Sequence, residues 1–368
     1  MKVMTLFGTR PEIIRLSQVI RQLDRLCEHT VLHTGQNHDP LLSDIFFEEL
    51  ALRRPDVHLG IRAASAADQI GQIVAKAGEV LERVAPDRLL ILGDTNSGLA
   101  AIPAARLGIP VYHMEAGNRC YDARVPEEVN RRIIDHCSAV LMPYTHRSKE
   151  NLLREGIERD RIFVVGNPIF EVLSGFMEKI QASDITERLG LERRGYFLAT
   201  MHRSENVDNP QRLALLLDGL SRVAESYKQP VLMSVHPHTA DQLERHTLHP
   251  LSSRVLLIRP LGFLDFVRLE RGARAVLSDS GTVQEECAIL SVPNVTIRDV
   301  TERPETIECG ATIVSGAEPA DILRRTELAL ALPAAWSPPP EYIVPNVSAA
   351  VTKVVLGHQG TTRQLKSF

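Results

Sequence analysis

Lys2-Val3-Met4-Thr5-Leu6-Phe7-Gly8-Thr9-Arg10-Pro11-Glu12 reads as a short apolar strand, a small turn and the opening of a helix, with Pro11 suited to a first helical turn. The same unit recurs along the chain. Further candidate strands fall at residues 30–33, 87–92, 111–114, 139–142 and 162–165. A second series follows at 196–200, 231–235, 254–258, 275–278 and 294–297. Amphipathic helical stretches lie between them, at 68–84, 97–107, 127–136, 209–227 and 282–290. Strands alternating with helices predict parallel sheets built from right-handed crossovers, an α/β doubly wound architecture. About six strands in each half point to two sheets, hence two Rossmann-like domains, rather than one very wide sheet. The expected division is an N-terminal domain at 1–168, a C-terminal domain at 169–344, and a tail at 345–368. That tail reads as a helix packing back on the first domain, followed by a flexible end. Ser337-Pro338-Pro339-Pro340 reads as a stiff linker. Two such domains facing each other place the carboxyl ends of both sheets, and the ligand site, at an interdomain cleft.

Length and composition bound the function. The 368 residues suit two domains of ordinary size. With 46 acidic against 42 basic residues the net charge is −4, which excludes reliance on a strongly basic surface for nucleic acid or anionic membrane. No apolar run is long enough to span a bilayer, and the N-terminus lacks the pattern of a signal peptide. Cys27, Cys120, Cys137, Cys287 and Cys309 are odd in number, scattered and without a C-x-x-C pair, so a reducing cytoplasm is expected.

The motifs that carry chemistry sit at predicted strand ends. Arg10, in the opening turn, makes an anion site or simply a surface arginine. Leu92-Gly93-Asp94-Thr95-Asn96, His113-Met114-Glu115-Ala116-Gly117-Asn118-Arg119 and Val125-Pro126-Glu127-Glu128 bring three carboxylate-bearing turns, those of Asp94, Glu115 and Glu127, toward neighbouring strand ends. Helix capping and the helix dipole explain any one of them. Gathered together they repel, so one is expected to hold a proton near neutrality, giving an acid and a base for proton shuttling at a sugar carbon. In the second half, His202-Arg203-Ser204-Glu205-Asn206 offers a histidine for an anionic leaving group, with a surface or capping histidine as the other reading. His236-Pro237-His238 lacks a carboxylate–histidine partner set, and no metal is expected. Ser278-Asp279-Ser280-Gly281-Thr282-Val283-Gln284-Glu285-Glu286 pairs a strand end with a small hydroxylated turn and a helix start. That arrangement suits a diphosphate, with a glutamate one turn in for ribose hydroxyls. Arg298 and Arg303 follow the next strand.

Taken in order, these motifs, with His33-Thr34-Gly35-Gln36, Asn130-Arg131-Arg132 and Thr301-Glu302-Arg303-Pro304-Glu305, resemble the non-hydrolysing UDP-N-acetylglucosamine 2-epimerase family over nearly the whole chain. The resemblance implies a GT-B-like pair of Rossmann domains, a homodimer, and interconversion of UDP-N-acetylglucosamine and UDP-N-acetylmannosamine. The route it implies is elimination of UDP to a 2-acetamidoglucal and re-addition, with no cofactor. Matched to the family pattern, Asp94, Glu115, Glu127 and His202 take the catalytic positions, and Arg10, His236, Ser280, Gly281 and Glu286 the UDP contacts. Arg15, where many members have lysine, and Arg303 complete the expected substrate-binding set. The link Asn118-Arg119-Cys120-Tyr121-Asp122-Ala123-Arg124-Val125 looks like that of a subgroup acting on modified UDP-sugars for surface polysaccharides. Examples are UDP-2,3-diacetamido-2,3-dideoxyglucuronate and UDP-2-acetamido-2,6-dideoxy-L-talose. Arg119 and Arg124 would there meet a C6 carboxylate, or else form structural pairs with Glu127 or Asp122. A GT-B glycosyltransferase is the rival of a different class.

Overall fold

The computed structural model describes residues 1–35, 40–332 and 334–358, residues 40–43 by their backbone alone. Gln36 and the expected flexible end of the tail lie outside the described residues. The chain divides into two compact units, Met1–Leu173 with Glu341–Phe368, and Ser174–Pro340.

The first unit carries β1 (Lys2–Phe7), β2 (Glu28–His33), β3 (Val57–His58), β4 (Arg88–Leu92), β5 (Val111–Met114) and β6 (Val140–Met142). They form one sheet in the order β3-β2-β1-β4-β5-β6, every pair parallel. β1 and β4 are central and covered on both faces, which is why their sequences are continuous aliphatic runs rather than alternating ones. Met4, Leu6, Leu89 and Ile91 pack with Ala77, Leu81 and Ile134 from the covering helices. The second unit repeats the pattern with β7 (Phe197–Met201), β8 (Val231–Val235), β9 (Val255–Ile258), β10 (Val276–Ser278), β11 (Asn294–Thr296) and β12 (Thr312–Val314), in the order β12-β11-β10-β7-β8-β9. The two Rossmann-like α/β sheets expected from the sequence are therefore present.

Two details differ from the sequence reading. Residues 162–165 add no full strand; Ile162 makes one isolated parallel bridge to Leu141 at the edge of the first sheet. The sixth strands are instead β3 and β12, two and three residues long, too short to show a period.

The helix Val347–Gly357 packs against the helix Arg10–Leu26 of the first unit. Glu171 accepts from the Ser348 N–H (2.8 Å) and hydroxyl (2.5 Å) at its start. At its end the Arg88 guanidinium donates to the Val355 carbonyl, and the Tyr112 hydroxyl donates to that of His358 at 2.8 Å.

Candidate active site

In a doubly wound sheet, helices leave neighbouring central strands on opposite faces and open a crevice at the strands' carboxyl ends. In the first unit that crevice lies between β1 and β4, which puts the Gly8-Thr9-Arg10 turn beside Gly93-Asp94-Thr95. The turns approach closely at Gly8, where a Cβ would overlap the hydroxyls of Ser97 and Thr34. Glu12, in the first helical turn, is 2% exposed. Its Oε2 accepts from the Gly8 (2.7 Å) and Thr9 (2.8 Å) N–H groups, and its Oε1 from the Thr95 hydroxyl (2.8 Å). Burial outweighs these donors and pushes its carboxyl up to about 7.

Asp94 and Glu115 each meet a buried guanidinium. Arg131 holds the Asp94 carboxylate at 2.8 Å and, on its other side, Glu128 at 2.9 Å. Arg15 holds Glu115 at 2.7 Å, both side chains about nineteen-twentieths buried, and the Asn118 amide donates to Glu115 at 3.2 Å. Glu115 follows β5 directly in left-handed backbone, φ 65°, which aims its side chain off the strand axis. Glu127 is half-buried in the first turn of the helix Pro126–Cys137. The sequence-predicted carboxylates of this unit, with Arg10 and Arg15, thus all belong to turns at the carboxyl edge of its sheet or to the helices that these turns open.

Several supporting residues were missed by sequence reasoning. Glu128 accepts from the Cys120 (3.0 Å) and Tyr121 (3.3 Å) N–H groups, clamping the loop between the two glutamate motifs. Burial opposes its ionisation, but the Cys120 N–H and the Arg131 charge hold it below the usual carboxylate range. Its sequence signal is the pair of arginines three and four residues on, both of which meet it. Asp135, fully buried, takes His113 Nδ1 at 2.8 Å and Arg119 at 2.8 Å, while His113 Nε2 meets the Gly93 carbonyl at 2.8 Å. The link arginines take structural pairs. Arg119 is enclosed between Asp135 and Glu155, neither of the partners expected for it, and Arg124 pairs with Asp122 at 2.6 Å.

In the second unit the crevice lies between β10 and β7, stitched by the Thr200 and Ser278 hydroxyls at 2.7 Å. Asp279, fully buried, organises the loop after β7. It accepts from the His202 N–H (3.0 Å), the Arg203 N–H (3.0 Å) and the Asn206 amide (3.1 Å), with His202 Nδ1 at 3.3 Å. His202 remains about one-third exposed. The His236 ring lies 6.2 Å from that of His202, and its Nδ1 accepts from the His238 N–H at 3.3 Å. In the neutral ring the proton is therefore on Nε2. His238 pairs instead with Asp208 at 2.6 Å, and among the described residues no group of three or more His, Cys, Asp or Glu is assembled for a metal.

The helix Gly281–Leu290 opens in this crevice, with Ser280 at its N-cap position but not bonding to its N–H groups through the side chain. A Cβ at Gly281 would come 2.7 Å from Glu302 Oε1, so a larger residue here would have to displace that ion-paired carboxylate. Two expected UDP contacts lie deeper. Glu286 is 3% exposed beside Glu270, whose carboxyl is raised well above its ordinary value by burial and by the Glu286 charge. Arg303 is 4% exposed and pairs with Glu285, next to a further set of pairs in which Arg298 bridges Glu302 (2.8 Å) and Glu205 (3.0 Å). The arginine loop after β11 therefore braces the turn from below.

Each unit thus has a polar crevice at the mouth of its sheet, one dominated by carboxylates and the other by histidines and a helix start. Known proteins are similar along nearly the whole chain. The family model described as UDP-N-acetylglucosamine 2-epimerase matches residues 21–356. A UDP-N-acetylglucosamine 2-epimerase of Methanocaldococcus jannaschii is 39% identical over 350 residues, 92% of this chain and 95% of that one. The solved structure of the M. jannaschii UDP-GlcNAc 2-epimerase in complex with UDP-GlcNAc and UDP gives a TM-score of 0.92 at 37% identity, covering 96% of this chain and 99% of that one. A UDP-2,3-diacetamido-2,3-dideoxy-D-glucuronate 2-epimerase of Pseudomonas aeruginosa is 36% identical over 323 residues, 86% of this chain and 89% of that one. With the family model spanning most of the sequence and relatives matched nearly end to end, the chain belongs to the UDP-N-acetylglucosamine 2-epimerase family and is an isomerase.

Proposed function

We propose that this chain interconverts UDP-N-acetylglucosamine and UDP-N-acetylmannosamine. A carboxylate of the first unit takes the C2 proton as the C1–O bond breaks. The bonding pair leaves with the diphosphate, giving 2-acetamidoglucal and UDP. A proton delivered to the other face of C2, with return of the diphosphate oxygen to C1, completes the inversion. The observation that carries this reading is the carboxylate set of the first unit. Asp94 and Glu115 each sit against a buried guanidinium that favours the charged form, and Glu127 opens the adjoining helix. Asp94, Glu115 and Glu127 handle the proton and assist departure and return of UDP. His202, the His236 Nε2–H and the N–H groups at Gly281 meet the diphosphate, with Arg10 and Arg15 as further cations. Glu286 serves the ribose. Each well-aimed donor at the developing charge lowers the barrier by about 3 kcal/mol.

The same reaction on a UDP-sugar with a C6 carboxylate is less well supported. Arg119, the buried candidate for that carboxylate, is already closed between Asp135 and Glu155. We further propose a cytoplasmic homodimer supplying surface polysaccharide synthesis. The family resemblance and five free thiols support the compartment, and among the described residues no helix is long and apolar enough to cross a membrane.

Proton NMR of the protein with UDP-N-acetylglucosamine alone tests the reading. A second anomeric signal is expected, with deuterium at C2 when the solvent is deuterated water. Epimerisation that keeps the original hydrogen would sink the elimination route, and a requirement for an acceptor would point to a transferase.

A further inference from the structure

Glu12 lies on the helix Arg10–Leu26 but binds two turns far apart in sequence. Its Oε2 closes the N-terminus of its own helix through the Gly8 and Thr9 N–H groups. That contact is what a helix needs from an acid in its first turn. Its Oε1 does something a cap does not require: it accepts from the Thr95 hydroxyl, 83 residues away and next to Asp94. The close approach at Gly8, whose Cβ would overlap the Ser97 hydroxyl of the same second turn, shows that the two turns are in contact across the crevice. A hydroxyl both donates and accepts, so the bridge persists when the carboxyl gains a proton, and a glutamine reproduces it. A shortened side chain does not.

We propose that Glu12 is a positioning residue that locks the Arg10 turn to the Asp94 turn through Thr95, and so fixes the spacing between the groups that hold the departing diphosphate and those that move the C2 proton. Elimination needs both ends of the substrate aligned at the same moment. Slack between the turns therefore costs the transition state more than the ground state.

Three variants test this: Glu12→Ala, Thr95→Val and Glu12→Gln. Thr95→Val leaves the helix cap intact and removes only the bridge. Glu12→Ala and Thr95→Val are each expected to lower kcat roughly 10- to 100-fold with KM changed far less, and the double variant to lose little more than either. Glu12→Gln restores kcat to within about three-fold of the parent chain. Crystal structures of the same variants give a readout independent of turnover, with the Thr95 turn displaced from Gly8 in Thr95→Val and held in Glu12→Gln. Thr95→Val with parental kcat, or with its two turns unmoved, overturns the positioning role. For its kinetic readout this role rests on the epimerase reading. If the parent chain itself leaves UDP-N-acetylglucosamine unchanged, that reading fails, while the displacement of the turns still decides the bridge.

Discussion

Glu115 carries a cost that only its surroundings sustain. Left-handed backbone at a non-glycine residue (φ 65°) costs roughly 1–3 kcal/mol. The Arg15 pair and the Asn118 amide hold the side chain there. Replacing Glu115 by glutamine removes the charge at the proposed proton-transfer position, and turnover is expected to fall roughly 10²- to 10⁴-fold. Glu127→Gln should behave alike, and calorimetry should find UDP affinity unchanged in both, since the proposed ribose and diphosphate groups are other residues. Unaltered turnover in either variant refutes its role. Arg131→Met strands the carboxylates of Asp94 and Glu128 together, and chemical denaturation should register a loss of about 3–5 kcal/mol. Asp94, Glu115 and Glu127 were legible in the sequence because each stands at a strand end or a helix start. Glu12, Glu128, Asp135 and Asp279 were not, since each has a complete local explanation as a turn or helix acid. What reveals Glu12, Asp135 and Asp279 is a partner remote in sequence, such as Thr95 for Glu12 or His202 for Asp279. The expected repulsion among the proposed catalytic carboxylates is answered at Asp94 and Glu115 by a guanidinium each, and the carboxyl pushed to about 7 is that of Glu12.

For elements, length decided what could be read. β1, β4, β7 and β8 are five or six residues of nearly continuous aliphatic sequence, which covered central strands require. β3 and β12 sit at the sheet edges, where two or three residues suffice and no pattern forms. Conversely, residues 162–165 are apolar enough to pass for a strand but reach only one bridge to Leu141. The helix Arg10–Leu26 has a distinctive pH signature through Glu12. The folded chain binds this proton more tightly than an unfolded one, with a value of about 7 against 4.5. The unfavourable ionisation is therefore absent below the unfolded value and grows as pH rises from about 4.5 to about 7, lowering stability by about 3 kcal/mol. Urea denaturation at pH 5 and pH 8 should show Glu12→Gln lacking this decline, so that its advantage over the parent is larger at the higher pH. Equal slopes for the two proteins would argue against a buried, titrating Glu12.

At the scale of the molecule, the repeated strand order makes one arrangement serve twice, with carboxylates at the mouth of one sheet and histidines with a helix start at the other. The first unit draws on two separated stretches of the sequence, because the helix Val347–Gly357 packs on the helix that carries Arg10, Glu12 and Arg15. Val347, Val351 and Val355 are fully buried there, each worth roughly 1.5–3 kcal/mol. Deleting residues 347–368 is expected to strip hydrogen-exchange protection from β1–β6 and leave β7–β12 protected; equal loss in both sheets would contradict the division into units. The same feature bears on synthesis. A ribosome delivers β1 long before the helix Val347–Gly357, the partner surface for the helix that follows β1. The unit made second, being continuous in sequence, is complete while the first still waits. The unit made second can thus close before the first, and until residues 347–357 emerge the first unit has an uncovered flank open to chaperones or to a neighbouring nascent chain.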